Sequence, residues 1–450
     1  MLSDRLERRA RRGARRGPCA ARQGADRRAP ADSHPTGLPH RLRRDHPRRA
    51  PVRAHSLGAL AGLLAACRAT VPLPASAGIP PAAPGALGFD STRLAAAAAY
   101  VKAAADSGAF PGAVLAVGRH GRLALLVAVG RYGADDPRPV DAGTIYDLAS
   151  LTKVVGLTTA CMLLVDEGKL ALDEPVQRYV PEFRGAGKER VTIRHLLTHS
   201  SGLPAWRPLY READSRATAL WVVNTTPLAT PPAQAYVYSD LGAIVLAEVV
   251  ERITGESLDR FLERRVFRPL GMPATRYLPP KDWRERIAPT ENDTSYRHRM
   301  LRGEVHDENA GRLGGISGHA GLFSNALDLS RFAALLLNGG AWDTLQLIRS
   351  ETVADFTRRQ GVVPNSSRAL GWDTPPDPPD STASAGTKLS ARAFGHTGFT
   401  GTSLWMDPEQ DLFIILLTNR VHPTRANTAI LKVRPHVADL VVAALTHPEL

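Results

Sequence analysis

Apolar residues fall at helical spacing from Asp90 to Ala105, with Leu94, Ala97, Ala98 and Val101 on one face, which predicts a first helix. Two apolar runs follow, Ala113–Gly118 and Leu123–Gly130, around Arg119-His120-Gly121-Arg122, as in a β-hairpin. After a polar loop over Gly133–Gly143, the stretch from Ser150 to Asp166 is apolar almost all round, which predicts a buried central helix stopped by Gly168. Leu170–Pro181 reads as extended, with turn chemistry at Asp173-Glu174-Pro175, and Val191–Leu203 starts helical and ends in a glycine loop. Further helices are expected over Ala243–Thr254, Leu258–Phe267 and Leu327–Leu337. Thr374–Lys388 is expected as a mobile surface loop. Ser403–Met406 and Leu412–Thr418 then form a second hairpin, and Pro435 suits the first turn of a last helix through Leu445. This order predicts an α+β fold in which both ends of the chain meet on one antiparallel sheet, with helices between.

Charge changes the picture only at the N-terminus. Residues 1–54 hold 16 arginines, no lysine and 5 acidic residues, whereas the rest of the chain holds 41 basic and 39 acidic residues. Nearly all of the net charge of +13 therefore sits in an arm without hydrophobic periodicity, and no nucleic-acid partner is expected for the folded body. Residues 55–67 then read as an export signal, a short apolar segment after a basic residue, too short to stay as a membrane span. Leu64-Ala65-Ala66-Cys67 resembles a bacterial lipobox, so an exported chain, in periplasm or cell envelope, with a lipid anchor on Cys67 is expected. On that view translation starts near Val52 and residues 1–51 are a start-site artefact. A chance Ala/Leu-rich run is the plainer alternative. Residues 68–89, rich in Pro and Ala, read as a tether, and 90–446 as the folded domain, with a helical part over about 168–370. Cys161 in the apolar run reads as a small buried hydrophobe, and neither a disulfide nor a cysteine metal site is expected.

Chemistry enters at Ser150-Leu151-Thr152-Lys153. A hydroxyl and an amine three residues apart share a helical face, so the amine can activate the nucleophile. Alone this pattern is weak, since on the order of one match arises by chance in a chain this long. Two later stretches give it weight. Tyr236-Val237-Tyr238-Ser239-Asp240-Leu241-Gly242 sets a phenol and a carboxylate just before a helix, and a phenol near an amine can shuttle protons. Gly395-His396-Thr397-Gly398-Phe399-Thr400-Gly401 flanks His-Thr with glycines, which lets a substrate backbone lie against an edge strand. The N–H groups of Phe399 and Ser150 would then form an oxyanion hole.

With these three motifs in order, the chain resembles the superfamily of penicillin-binding proteins and class C β-lactamases over about residues 90–446. The resemblance implies a five-stranded antiparallel sheet flanked by N- and C-terminal helices, with a helical domain beside it and the site at their junction. It implies Ser150 as the acylated nucleophile, Lys153 as its base and Tyr238 as proton shuttle. Asp240, His396, Thr397, Gly398 and Phe399 would line the substrate site. No cofactor and no metal are implied, and the expected substrate is a small molecule or peptide.

Two positions depart from the family pattern. His396 replaces a lysine, which removes a fixed cation expected to hold a β-lactam carboxylate. Asp240 replaces an asparagine, and a carboxylate near Lys153 favours the charged amine. These departures point away from antibiotic hydrolysis and toward the esterase, D-amino-acid peptidase and muropeptide-amidase branch. Val305-His306-Asp307-Glu308-Asn309-Ala310 and Thr418-Asn419-Arg420-Val421-His422-Pro423 resemble the cell-wall-recycling members. A non-catalytic receptor for cell-wall fragments, or a true β-lactamase, are the alternatives. Several residues keep two readings: Asp240 as substrate ligand or helix cap, Asp307, Glu308 and His319 as site or loop architecture, and Arg420 with His422 as carboxylate clamp or surface pair. His195 and His199 stand four apart, but without a third ligand at useful spacing they read as structural.

Overall fold

A computed structural model describes residues 76–446. The arginine-rich arm, the export segment, Cys67 and residues 68–75 of the expected tether lie outside the described residues. The part of that tether within them corrects the expectation. Ile79, Leu87 and Phe89 are buried, a 3₁₀ turn spans Pro84–Leu87, and Phe89 bridges Leu445. These apolar side chains cover the body and outweigh the surrounding Pro and Ala content.

Helix α1 (Ser91–Asp106) starts where Asp90 accepts the Arg93 N–H at 2.9 Å, and it buries Leu94, Ala97, Val101 and Ala104. Strands β1 (Gly112–Arg119) and β2 (Arg122–Gly130) are joined by His120 and Gly121, both with positive φ, as a two-residue hairpin turn requires. The short strand β3 (Tyr146–Asp147) leads into helix α2 (Thr159–Asp166) through a 3₁₀ turn at Ala149–Leu151 and a π-helical stretch at Lys153–Thr158. The expected single helix from Ser150 is therefore wound in three ways. Thr159 Oγ1 bonds the Val154 carbonyl five residues back at 3.0 Å, and such widened turns recur at functional sites.

Helices α3 (Ile193–Leu197) and α4 (Asp240–Thr254), strand β4 (Arg276–Tyr277), helix α5 (Glu308–Arg312), strand β5 (Leu322–Ser324) and helix α6 (Ala326–Leu337) follow. The chain ends with β6 (Phe394–Thr397), β7 (Ser403–Asp407), β8 (Leu412–Thr418) and helix α7 (Ile430–Ala443). Helix α7 begins five residues before Pro435, not at it. Ile430, Val433, Val437 and Val441 form one buried stripe, and that packing outweighs the proline's missing N–H.

The main sheet has the order β6-β7-β8-β1-β2, antiparallel throughout, so the last strand pairs with the first: Ala113 faces Thr418 and Val117 faces Ile414. Strand alternation gives the sheet two dry faces. Leu115, Val117, Ile414 and Leu416 pack under α1 and α7, while Val114, Ala116, Phe413 and Ile415 join the larger core with α2, α4 and α6. A three-stranded ribbon, β3-β5-β4, seats β3 and so fixes the entry to Ser150.

Candidate active site

The turn that presents Ser150 is held from below. Asp147, buried in β3, accepts the Ala149 N–H at 2.8 Å and the His306 N–H at 2.6 Å, and burial still pushes its carboxyl up. Ala149 sits at φ 46°, a conformation an L-residue adopts only under constraint, and strain of this kind gathers at active sites. Ser150 follows directly, half-buried on the 3₁₀ turn.

Lys153 Nζ meets three oxygens: Ser150 Oγ at 2.9 Å, the His319 carbonyl at 3.1 Å and Asp240 Oδ1 at 2.7 Å. The first two are hydrogen bonds that an ammonium can donate, and the third is an ion pair. Burial is the largest influence on this amine and pulls its pKa down, but Asp240 and Tyr238 together outweigh it, and the net shift is upward. The charged form is the resting form.

Tyr238 stands over this amine, with the Tyr238 ring centroid 4.9 Å from Lys153 Nζ. The loop carrying it is fixed by Ser239, which caps α4 by accepting the Gly242 N–H at 3.2 Å and donates to the Pro204 carbonyl at 2.7 Å. Ser239, not Asp240, is thus the helix cap, and the Asp240 carboxylate is free for Lys153. On the far side, His199 packs against Tyr238 with ring centroids 4.6 Å apart and accepts the Ser239 N–H at 3.1 Å.

His396 lies on β6 with its ring 5.8 Å from that of Tyr238 and 4% of its surface exposed. Its Nδ1–H donates to the Thr397 carbonyl at 2.8 Å, while Nε2 is buried with no hydrogen-bond partner among the described residues. Burial above all, then the charges of Arg368 and Lys153, hold its pKa well below the ordinary histidine range, so the ring is neutral. Thr397 ends the strand, half-buried.

The turn after β6 is stapled to the nucleophile loop. Thr400 Oγ1 donates to the Asp147 carbonyl at 2.7 Å and Thr402 Oγ1 to the Leu148 carbonyl at 3.0 Å. Gly398 is where the two meet. A Cβ there would lie 2.2 Å from Thr402 Oγ1 and 2.3 Å from the Leu148 oxygen. This contact fixes the turn that carries Phe399, whose N–H has no acceptor among the described residues, against the backbone just before Ser150. The Phe399 ring is 43% exposed between His306, at 5.7 Å, and the Arg420 guanidinium, at 4.4 Å.

The residues left with two readings now divide. The His319 carbonyl touches Lys153, and Asp307 holds the His319 ring at 2.8 Å while capping α5 through the Ala310 N–H at 2.7 Å. Glu308 pairs with Arg425 at 2.7 Å. Arg420 donates to the carbonyls of Phe399, Arg425 and Asn427, which braces the Phe399 turn, and His422 is buried. Helix α3 stops at Leu197 and His199 has φ 54°, so His195 and His199 do not share a helical face. His195 instead completes the cap of α3 with Thr192. The motifs did not mark Asp147, His199 or Arg368 as parts of the site. Tyr236, two residues before Tyr238, was the one with a signal nearby.

Known proteins resemble this chain in sequence and in fold. The family model described as Beta-lactamase matches residues 97–437. A Salmonella agona protein, provisionally named a D-alanyl-D-alanine carboxypeptidase, is 33% identical over 395 residues, covering 79% of this chain and 88% of its own. Among solved structures, a penicillin-binding protein homologue from Caulobacter crescentus superposes with a TM-score of 0.63 at 21% identity, over 80% of this chain and 99% of that one. A β-lactamase/D-alanine carboxypeptidase from Pseudomonas syringae gives 0.62 at 20% identity, over 80% and 99%.

Proposed function

The chain belongs to the beta-lactamase family and is a serine hydrolase, and from that premise we propose that it cleaves amide bonds in cell-wall peptides through an acyl-enzyme on Ser150. The observation that carries this is the triple contact of Lys153 with Ser150, Asp240 and His319 beneath the Tyr238 ring. An ammonium cannot take a proton, so Lys153 orients Ser150 Oγ by donating to it, and the proton-accepting role passes to Tyr238.

In this mechanism Ser150 Oγ attacks the carbonyl carbon as Tyr238, in its phenolate form, removes the hydroxyl proton. The carbonyl oxygen becomes the oxyanion and is met by the N–H groups of Ser150 and Phe399. Collapse breaks the C–N bond, and Tyr238 passes its proton to the departing amine. Water then enters, gives a proton to Tyr238 and attacks the ester. Ser150 leaves, regains its proton from Tyr238, and the carboxylic acid product departs. The name borne by the Salmonella agona relative supports a D-alanyl terminus as leaving group. Work in the cell envelope, with anchoring through Cys67, belongs to the same proposal.

A fluorophosphonate probe tests it. Intact-mass analysis should show one adduct on the wild-type chain and none on Ser150→Ala. A folded wild-type protein that takes no adduct at Ser150 overturns the proposal and favours a non-catalytic receptor. Release of D-alanine from a D-Ala-D-Ala-terminated peptide tests the substrate class separately.

A further inference from the structure

Arg368 takes no part in the chemistry above, yet it is built into the site. It is 7% exposed, and its guanidinium carbon lies 5.3 Å from the ring centroids of both Tyr236 and Tyr238. Nε donates to the Tyr236 hydroxyl at 3.0 Å. Nη1 is buried with no hydrogen-bond partner among the described residues. The Asp373 carboxylate stands 3.8 Å from Nη2 and is already engaged by Ser367 Oγ at 2.8 Å and the Thr374 N–H at 3.1 Å. A guanidinium buried with so loose a counter-charge is costly, and a fold that keeps one next to a reacting group invites a functional account.

Among the described residues, the charged and titratable groups around the Tyr238 ring are Lys153, Asp240, His199, His396, Tyr236 and Arg368, with Asp373 beside Arg368. Lys153 and Asp240 offset each other at 2.7 Å. His199 and His396 are kept neutral, first by burial and next by Arg368 itself. Arg368, whose Asp373 counter-charge stands off at 3.8 Å and is engaged elsewhere, therefore leaves a net positive field at the phenol. A cation at this distance from an aromatic ring is attracted to it, and more strongly once the ring bears negative charge.

We propose that Arg368 is a positioning residue for Tyr238, pinned by Tyr236, and that its guanidinium stabilises the phenolate that accepts the Ser150 proton. It supplies beside the ring a fixed cation that His396 does not. The inference rests on the proposed role of Tyr238 in proton transfer.

The test is a double-mutant cycle on kcat and its pH profile, with a short-chain p-nitrophenyl ester as substrate and thermal unfolding as the check on folding. Arg368→Met should lower kcat at pH 7 by about tenfold with KM within about twofold, and move the rising limb of the profile to higher pH. Arg368→Lys should recover part of the loss. Asp373→Asn, which removes the counter-charge at a partly exposed position, should move the limb to lower pH. In a Tyr238→Phe background, Arg368→Met should change nothing further.

An Arg368→Met protein with wild-type kcat and profile overturns the inference. So does an equal loss in the wild-type and Tyr238→Phe backgrounds, which marks a packing role. If Arg368→Met does not fold, Asp373→Asn decides, and an unshifted profile overturns. A slow Tyr238→Phe beside an unaltered Arg368→Met sinks the Arg368 role alone, whereas a fully active Tyr238→Phe sinks the Tyr238 assignment and this inference with it.

Discussion

Asp240 Oδ1 lies 2.7 Å from Lys153 Nζ, and the lysine is 3% exposed. A buried amine without that carboxylate would tend to lose its proton, because burial is the largest influence on it and acts downward. The pair therefore decides which protonation state of Lys153 faces the nucleophile.

Replacing Asp240 by Asn should release that hold. The wild-type amine, shifted upward, keeps its proton far into the alkaline range, so activity that needs the ammonium persists there. In Asp240→Asn the alkaline decline of kcat/KM should move down by about 1–3 pH units, the usual effect of an adjacent opposite charge. Overlaid wild-type and variant profiles would show that the ion pair does not set the state of Lys153.

Gly398 gives a steric prediction. An alanine Cβ at this position would press on the Leu148 oxygen at 2.3 Å, and that atom belongs to the backbone leading to Ser150. The turn cannot yield freely, since Gly398 N–H bonds the Thr402 carbonyl at 2.7 Å and the Gly398 carbonyl accepts from Arg434 at 2.6 Å. Gly398→Ala should therefore move Phe399 as a unit and misplace its N–H. The expected loss is about 10²-fold in kcat, the scale of one lost oxyanion donor. Steady-state kinetics on a folded variant with kcat within about threefold of wild type would remove the Phe399 N–H from the mechanism.

Much of this site could be read from the chain, for a physical reason. Ser150 and Lys153 are three residues apart, and Tyr238 and His396 sit in short motifs whose residue types name their chemistry. Asp240 was legible as a departure whose contact with Lys153 could be anticipated. Arg368 was not, because its partner Tyr236 lies 132 residues earlier and nothing local marks an arginine before Ala369-Leu370-Gly371. Hydrophobic pattern gave the two hairpins and the helix α1. It missed the π-helical winding over Lys153–Thr158, which depends on dihedrals that an all-apolar run does not encode. It also missed the first turn of α7, where packing of Ile430 and Val433 overrode the signal of Pro435.

Glu291, between β4 and α5, joins that segment to the turn after β8. Its carboxylate contacts His306 Nε2 at 2.9 Å and the Arg425 guanidinium at 2.6 Å, and it accepts the Arg425 N–H at 3.0 Å. Burial, the largest influence, raises its pKa, but these bonds outweigh it and the value falls to about 2. A depressed carboxylate contributes stability above its unfolded value of about 4.3, and the contribution disappears as pH falls through about 2. Glu291→Gln should thus cost about 1–3 kcal/mol at pH 7 and progressively less between pH 4.5 and pH 2. Urea unfolding at several pH values measures it, and a gap that is constant across that window would refute the assignment.

The last prediction concerns substrate choice and follows from His396. A β-lactam carries a carboxylate that a fixed cation at this strand would hold, but the His396 ring is neutral and offers Nε2 as a buried acceptor. Lone pairs facing a carboxylate repel it, and Arg368 cannot substitute directly because Nη1 is buried and its guanidinium lies against the tyrosine rings. Lys153 is already paired with Asp240 at 2.7 Å and donates to Ser150 Oγ and the His319 carbonyl. The acyl group of a simple ester makes no such demand, since it needs only Ser150 and the oxyanion donors. Nitrocefin should therefore turn over at least about tenfold more slowly, in kcat/KM, than p-nitrophenyl acetate or butyrate, a gap of roughly one unmade charge contact. Measured on the same preparation, comparable constants for nitrocefin and the esters would mean that the strand holds an anion without a lysine, and that the loss of charge at His396 does not set the substrate range.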